Sequence, residues 1–328
     1  MSLKIESFTG ERESAWDDFV ADSRNGTLFH TRRFLSYHPA DRFQDASLLF
    51  LDGEKIAGVL PAAKKIEDGL STLVSHPGAS YGGLVLPLGS PMNTTGEMLA
   101  LLKEHARAEG YGRISLLRLP PVSLHREWSE DQQYWLYQQG WRMTRCEMDG
   151  AVDLRCLREE QVPASLTGKC RNMVRQAERG GVVVGLSDDF PAFWVLLGEV
   201  LSKRHGAKPT HTQGEIQSLK SLLSGQVRLL AAKRGGALVG GIILVTIHER
   251  ALYTLYMAQD YASQQYHPMH LLLKEALCLA IREKRSVLHL GVSTEDGGTK
   301  INEGLFFFKE SFGCRPVRRE SWEIDFAA

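Results

Sequence analysis

The sequence predicts an α/β (α+β) protein of two tandem domains, each a mixed, largely antiparallel sheet flanked by helices. Three observations carry this. The chain has 328 residues, a length that suits two domains with a core each. The second half reads helix, helix, three extended runs, helix, strand, helix, strand, and the first half repeats that order in weaker form. Two landmarks keep nearly the same offset: Gly58 and Gly240 stand 182 positions apart, Leu116 and Leu290 stand 174 apart. Offsets that differ by a small insertion predict an internal duplication. The boundary falls near residue 155, giving domains 1–155 and 156–328, with the chemistry in the second.

In the first half, "ESAWDDFVADSR" and "HTRRFLSYH" are helical candidates. The hairpin "ASLLFLDGEKIAGVLPAAKK" follows, turning at Asp52-Gly53. "YGGLVLP" is an expected strand, "GEMLALLKEHARAEG" a helix and "RISLLRL" a strand. "SEDQQYWLYQQGW" is the late helix and "RMTRCEMDGAVDL" the closing strand. A polar connection, "LREEQVPASLTGKCRNMVRQAERGG", becomes a basic helix. In the second half, "DDFPAFWVLLGEVLSKRH" sets Phe193, Trp194, Leu197, Val200 and Leu201 on one face, with Pro191 at a helix start. "QGEIQSLKSLLSG" is a second amphipathic helix closed by Gly225. "QVRLLAAKRG", "ALVGGIILVTIHE" and "RALYTLYMAQ" form an antiparallel meander across short turns. The helix "HPMHLLLKEALCLAIREK", the strand "SVLHLGV", the helix "GLFFFKESFG" and the strand "RPVRRESWEIDF" complete the order. The phenylalanines Phe306, Phe307 and Phe308 are expected to be buried, which makes Lys309 among them conspicuous.

With 39 basic and 39 acidic residues the formal charge is zero, so nothing favours DNA or an anionic membrane as main partner. The five cysteines, Cys146, Cys156, Cys170, Cys278 and Cys314, form no C-x-x-C pair. That excludes a disulfide framework and a structural zinc site, and fits a reducing compartment. No apolar run approaches ~18 residues, so no membrane span is expected. The start "MSLKIESFTGERES" has no secretion-signal pattern. A cytoplasmic protein is the expectation.

Three segments carry a family resemblance. "LTGKCRNMVRQAERGGVVV" pairs a basic helix with a glycine and a β-run. "LYMAQDYASQQYHPMHLLLKEALCLA" joins a central strand, loop and helix. "GLFFFKESFG" is close to an F-K-x-x-F-G signature. In this order they resemble the GNAT acyltransferase superfamily, and within it the twin-domain branch of Fem-type peptidoglycan aminoacyltransferases and their acetyltransferase-like relatives. The resemblance implies a bacterial, cytoplasmic acyltransferase of cell-envelope biogenesis. It also implies no tightly bound cofactor, with acyl-CoA as a possible co-substrate. In ordinary GNAT enzymes a Gly-rich loop before the main helix holds the coenzyme A pyrophosphate on backbone amides. Here "QYHPMHLLL" puts Pro268, which has no N–H, and His270 at that place, and "LGSPMNTTGEM" in the first half is no better. That departure questions a conventional coenzyme A mode and favours the Fem-type donor, an aminoacyl-tRNA.

Lys309 lies at the edge of a face made by Leu305, Phe308 and Phe312. It either snorkels over apolar surface or, as the resemblance implies, acts in transfer by stabilising charge on the acyl oxygen. Arg171, Arg175 and Arg179 recur at i+4, with Lys169 nearby. Both a solvated face and a phosphate clamp give this pattern, and the resemblance assigns phosphate of a nucleotide-linked acceptor to Arg171. The loop "GVSTEDGGTK" offers Ser293 as a substrate contact and Glu295 or Asp296 as the base that takes the amine's proton; plain turn chemistry explains it equally. Tyr256 and Gln259 on the central strand are substrate-binding candidates. Tyr81 and His76 in "SHPGASYGG", beside Ser75 and Gly82, look like the acceptor loop, with Arg32 and Arg33 as weaker candidates. His267 and His270 lack a companion ligand, so no metal is expected. No G-x-S-x-G elbow, P-loop or dinucleotide fingerprint is present.

The reading is an N-acyltransferase moving an acetyl or similar group from an activated donor to an amine of a polar or nucleotide-linked small molecule. The alternatives are an aminoacyl-tRNA-dependent cross-bridge transferase and a non-catalytic binding protein on the same scaffold.

Overall fold

The computed structural model describes residues 3–120, 126–223 and 225–326. They form two compact units. The first comprises Met1–Met148, Glu295–Lys300 and Arg318–Ala328; the second comprises Asp149–Thr294 and Ile301–Val317. The units are thus not plain halves of the chain: two late segments cluster with the first.

In the first unit, a small antiparallel sheet joins Leu3–Ser7, Leu48–Asp52 and Lys55–Leu60. A second ladder runs through Ala63–Glu67, Leu70–Ser75, Arg113–Leu117 and the 321–325 stretch of the last strand. The hairpin at Asp68-Gly69 was not expected, yet both residues have positive φ (50° and 78°). They close a two-residue loop of the kind Asp-Gly favours. The helices Glu13–Asp22, Met92–Ala108 and Asp131–Gln138 pack around Trp16, Phe50, Leu60, Met98 and Leu102.

Two expectations need correction here. "YGGLVLP" is not a strand: among the described residues it makes isolated bridges, Ser23 with Pro87, Val59 with Val85 and Gly82 with Arg118. The Asn25 side chain takes the place of a strand partner, donating to Leu84 O (2.8 Å) and accepting from Leu86 N (2.9 Å). "HTRRFLSYH" is mostly not α-helix. Only Arg32–Leu35 is, capped by Thr31 and preceded by a 3-10 turn, Leu28–His30.

In the second unit the sheet order is Val182–Ser187, Val227–Arg234, Ala237–His248, Ala251–Gln259, Val287–Val292, then 149–153 of the strand Arg142–Asp153. Gly168–Arg179 and Pro268–Arg282 share one core with the sheet, including Val174, Leu230, Leu272, Leu288 and Phe312. Phe190–His205 comes close to the strand at Gly241, where a Cβ would lie 2.7 Å from the Phe193 ring.

One feature of this sheet positions the site. Ala251–Gln259 and Val287–Val292 run parallel, but they pair only as Ala251↔Val287, Leu252↔Leu288 and Tyr253↔His289. Both strands continue beyond that point. On its other side the central strand shifts register, pairing Tyr256 with Ile243 and Thr254 with Leu244, so Leu255 has no opposite residue. An extra residue bends a strand and raises its twist. The bulge at Leu255 therefore coincides with the place where the two parallel strands part and leave a fork.

Candidate functional site

The helix Glu303–Glu310 begins with Asn302, whose side chain accepts from Leu305 N at 3.0 Å. Its Lys309 does not snorkel: it is 1% exposed. Nζ donates to Gly291 O (2.6 Å), Val292 O (3.0 Å) and Ser293 Oγ (2.8 Å). These acceptors lie on the strand end past the last parallel pair, so the ammonium binds main-chain carbonyls at one arm of the fork. Gly291 has a φ of 75°, a left-handed conformation that glycine adopts freely.

Burial pulls the Lys309 pKa down to about 8, while Asp149 and Cys314 act in the opposite sense. Asp149 is itself buried, with Oδ1 accepting from Gly150 N at 2.7 Å and Oδ2 4.0 Å from His289 Nδ1. Burial holds His289 below the ordinary histidine value and pushes the Cys314 thiol up to about 12. Gly150 makes room for this cluster: a Cβ there would sit 2.6 Å from Cys314 Sγ and 3.5 Å from Lys309 Cδ. Sequence reasoning missed Asp149. Its only signal was a carboxylate inside an otherwise regular closing strand.

The chemistry follows from counting donors. A charged Lys309 has three N–H bonds, and all three are committed, so Ser293 keeps its own O–H for another acceptor. A neutral Lys309 has two N–H bonds for the two carbonyls and a lone pair that accepts from Ser293. The same heavy-atom geometry serves both states, so the arrangement keeps its shape whether Lys309 is charged or neutral.

The other expected residues fall in separate places. Tyr256 Oη lies 2.7 Å from His211 Nδ1, its ring is edge-on to Trp194, and burial pushes its pKa up. Gln259 Oε1 accepts from Met269 N at 3.3 Å, and His270 N donates to His267 O at 3.1 Å. With Pro268 lacking an N–H, the start of Pro268–Arg282 offers no open amide at its first three positions. His270 packs edge-on to Phe308, and burial pulls its pKa down to about 4. Arg171 is half-buried and donates to Leu166 O at 3.4 Å. Arg175 and Arg179 are exposed, with no hydrogen bond or ion pair among the described residues. Glu295 and Asp296 are exposed and cluster with the first unit, Glu295 lying 3.2 Å from Lys300 Nζ. Tyr81 and His76 are buried in the first unit. Tyr81 is edge-on to Phe29, and His76 Nδ1 accepts from Gly78 N while burial pulls its pKa to about 4. Arg32 lies over the Phe8 ring and pairs with Asp45, while Arg33 N donates to Asp17. Phe307 departs from the expected buried face and is 68% exposed, because consecutive helical residues point about 100° apart. Among the described residues no group of His, Cys, Asp and Glu is arranged to hold a metal ion. No helix among them is long and apolar enough to cross a membrane.

Residues 164–298 match a family model described as "Acetyltransferase (GNAT) domain". This stretch is similar to GNAT acetyltransferase domains. It contains the fork and the helix Pro268–Arg282, and it ends before the helix that carries Lys309. The crystal structure of FemX is similar at a TM-score of 0.74 and 14% identity, covering 98% of this chain and 97% of that one. A tandem GNAT protein from the clavulanic acid biosynthesis pathway gives 0.59 and 13%, covering 100% and 99%. L-PGS from Bacillus licheniformis gives 0.62 and 12%, covering 98% and 94%. At these identities the likeness concerns the fold. A comparison with curated protein sequences finds no match. The Fem-type tandem GNAT fold and the acyltransferase class expected from the sequence both hold.

Proposed function

We propose that the chain is an N-acyltransferase whose donor lies along the fork of the second unit, and whose acceptor is an amine on a phosphate-bearing or otherwise polar small molecule. The observation that carries this reading is the fork inside the GNAT stretch with Lys309 and Ser293 on one arm. Attack of the amine on the donor's activated carbonyl places negative charge on the carbonyl oxygen. Because Lys309 donates to Ser293, the Ser293 hydroxyl is free to donate to that oxygen, with the buried ammonium behind it. Lys309 acts through Ser293 rather than by direct contact. Solvent takes the proton from the attacking nitrogen, and collapse of the intermediate breaks the donor's acyl bond and expels its thiol or hydroxyl, which takes up a proton as it leaves. Tyr256 lines the donor side, and Arg171, Arg175 and Arg179 hold phosphate.

Acyl-CoA is the donor that the GNAT stretch favours. A second reading, an aminoacyl-tRNA donor, is favoured by one specific observation: Pro268, Gln259 and His267 leave no open amide where a pyrophosphate cradle would be. Isothermal titration with acetyl-CoA and with a UDP-linked peptide tests the assignment. We expect the UDP-linked peptide to bind and to lose at least tenfold in affinity in Arg175→Ala/Arg179→Ala. Binding unaffected by that pair refutes the phosphate role. Acetyl-CoA transfer that survives Ser293→Ala at the wild-type rate refutes the Ser293 mechanism.

A further inference from the structure

Among the described residues the strand Val182–Ser187 ends the sheet of the second unit and pairs on one side only, with Val227–Arg234. Exposed sheet edges are normally blunted by a charge, a proline, a bulge or a short strand. This edge has none of these: VVVGLS is six residues long, uncharged, and pairs with its neighbour without a register shift. Its apolar side chains emerge on both faces. Val183 is 69% exposed on one, and Leu186 is 58% exposed on the other. A groove lies along each side of the edge. One is lined by Val184, Leu230, Leu279 and Arg282, the other by Phe190, Lys220, Val227 and Leu229. A strand laid on this edge would place alternate side chains into the two grooves.

The charges at the two ends of the strand indicate the occupant. At its start Arg179 is exposed and unpaired among the described residues, and Arg234 stands opposite Val182. At its end stand the exposed Asp188 and Asp189; Asp188 is paired with Lys220 Nζ at 2.8 Å, and Asp189 has no ion pair among the described residues. Antiparallel pairing of two copies sets the basic end of one against the acidic end of the other, twice, about a two-fold axis. Parallel pairing would set like charge against like. We propose that Val182–Ser187 is a self-association edge, where a second copy of this chain adds its own Val182–Ser187 strand antiparallel to form a continuous intermolecular sheet.

Sedimentation velocity of the full chain over a concentration series tests this. The expected result is a monomer–dimer equilibrium above the 36.6 kDa monomer mass. Val183→Lys/Leu186→Lys alters only exposed side chains and should give a monomer with unchanged circular dichroism and thermal midpoint. Arg179→Asp alone and Asp188→Arg alone each set like charges together and should weaken the dimer at least tenfold. An equimolar mixture of these two variants restores opposite charges at both ends and should recover it. A wild-type monomer throughout the series overturns the proposal and leaves an extended segment of another protein as occupant. A dimer that persists in Val183→Lys/Leu186→Lys, or a mixture that fails to recover, overturns it as well.

Discussion

Replacing Lys309 by methionine keeps a long apolar stem and removes the charge that ties Gly291, Val292 and Ser293 together. At neutral pH the variant leaves two buried carbonyls and the buried Asp149 carboxylate without their cation, a loss of about 3 kcal/mol or more. The pH dependence is the sharper test. The folded pKa is about 8 and the ordinary value 10.5. Below the lower value Lys309 is charged in both folded and unfolded chains; above the higher it is neutral in both. Between them the unfolded chain holds a proton that the folded chain has released, so stability rises with pH across that window. The shift corresponds to a gain on the order of 3 kcal/mol, complete near pH 10.5 and lost as pH falls through 8. Methionine does not titrate. The difference in unfolding free energy between wild type and Lys309→Met should therefore widen by about that amount over the window, while thiols and other lysines titrate in both proteins and largely cancel. Urea unfolding followed by tryptophan fluorescence at several pH values measures it. Parallel pH profiles for the two proteins would refute the reasoning.

Other outcomes follow from the same principles. Burial pulls His30, His76 and His270 to about 4 from 6.5. The unfolded chain thus takes up protons first, and stability present above pH 6.5 should be lost as pH falls toward 4. Thermal midpoints measured across that range should drop, less steeply in His30→Gln. Arg24→Met strands the buried Asp131 carboxylate, which Arg24 holds at 2.6 Å, and should cost about 3–5 kcal/mol in urea unfolding. Arg24→Met/Asp131→Leu should cost clearly less than the single variant. Gly298→Ala adds a Cβ that would lie 2.3 Å from Cys146 O at a φ of 97°. Calorimetry should find the thermal midpoint several degrees lower, as a loss of more than about 1 kcal/mol requires.

The second unit was the more legible because its elements are long and strongly patterned. The meander from Val227 to Gln259 alternates around Gly-containing turns, and the helix Pro268–Arg282 announces its start with a proline. In the first unit, side chains replaced backbone ladders. Asn25 satisfies Leu84 and Leu86 where the apolar run "YGGLVLP" suggested a strand, and no local pattern reports a partner about 60 positions away. The Asp68-Gly69 hairpin has legible turn residues, but one strand of it, "AKKIE", is mostly polar and carries no clear apolar alternation. At the site, Lys309 and Ser293 were both visible, yet their pairing was not, since it depends on where two parallel strands separate. Asp149 was hidden for the same reason: its role is set by burial and by the lysine it faces.

Lys309 belongs to the fork more than to its own helix. A lysine at the edge of an apolar helix face ordinarily runs its stem along the surface and returns its charge to water. Burying the ammonium instead requires three acceptors, because each unmet N–H would add a desolvation cost of about 1–3 kcal/mol. A regular parallel ladder supplies none, since its carbonyls are spent on the next strand. The bulge at Leu255 turns the central strand away just past Tyr253, and the first carbonyls Lys309 takes on the neighbouring strand are those of Gly291 and Val292. Gly150 leaves room for Cys314, whose sulfur a Cβ there would meet at 2.6 Å, and the neighbouring Asp149 balances the charge. A side chain at Gly150 would displace Cys314, and a central strand without its bulge would remove a condition for the buried cation. The charge inside "GLFFFKESFG" is therefore explained by the strand separation, and Ser293, whose oxygen completes the set of three acceptors, is the group through which that charge can reach a bound acyl carbonyl.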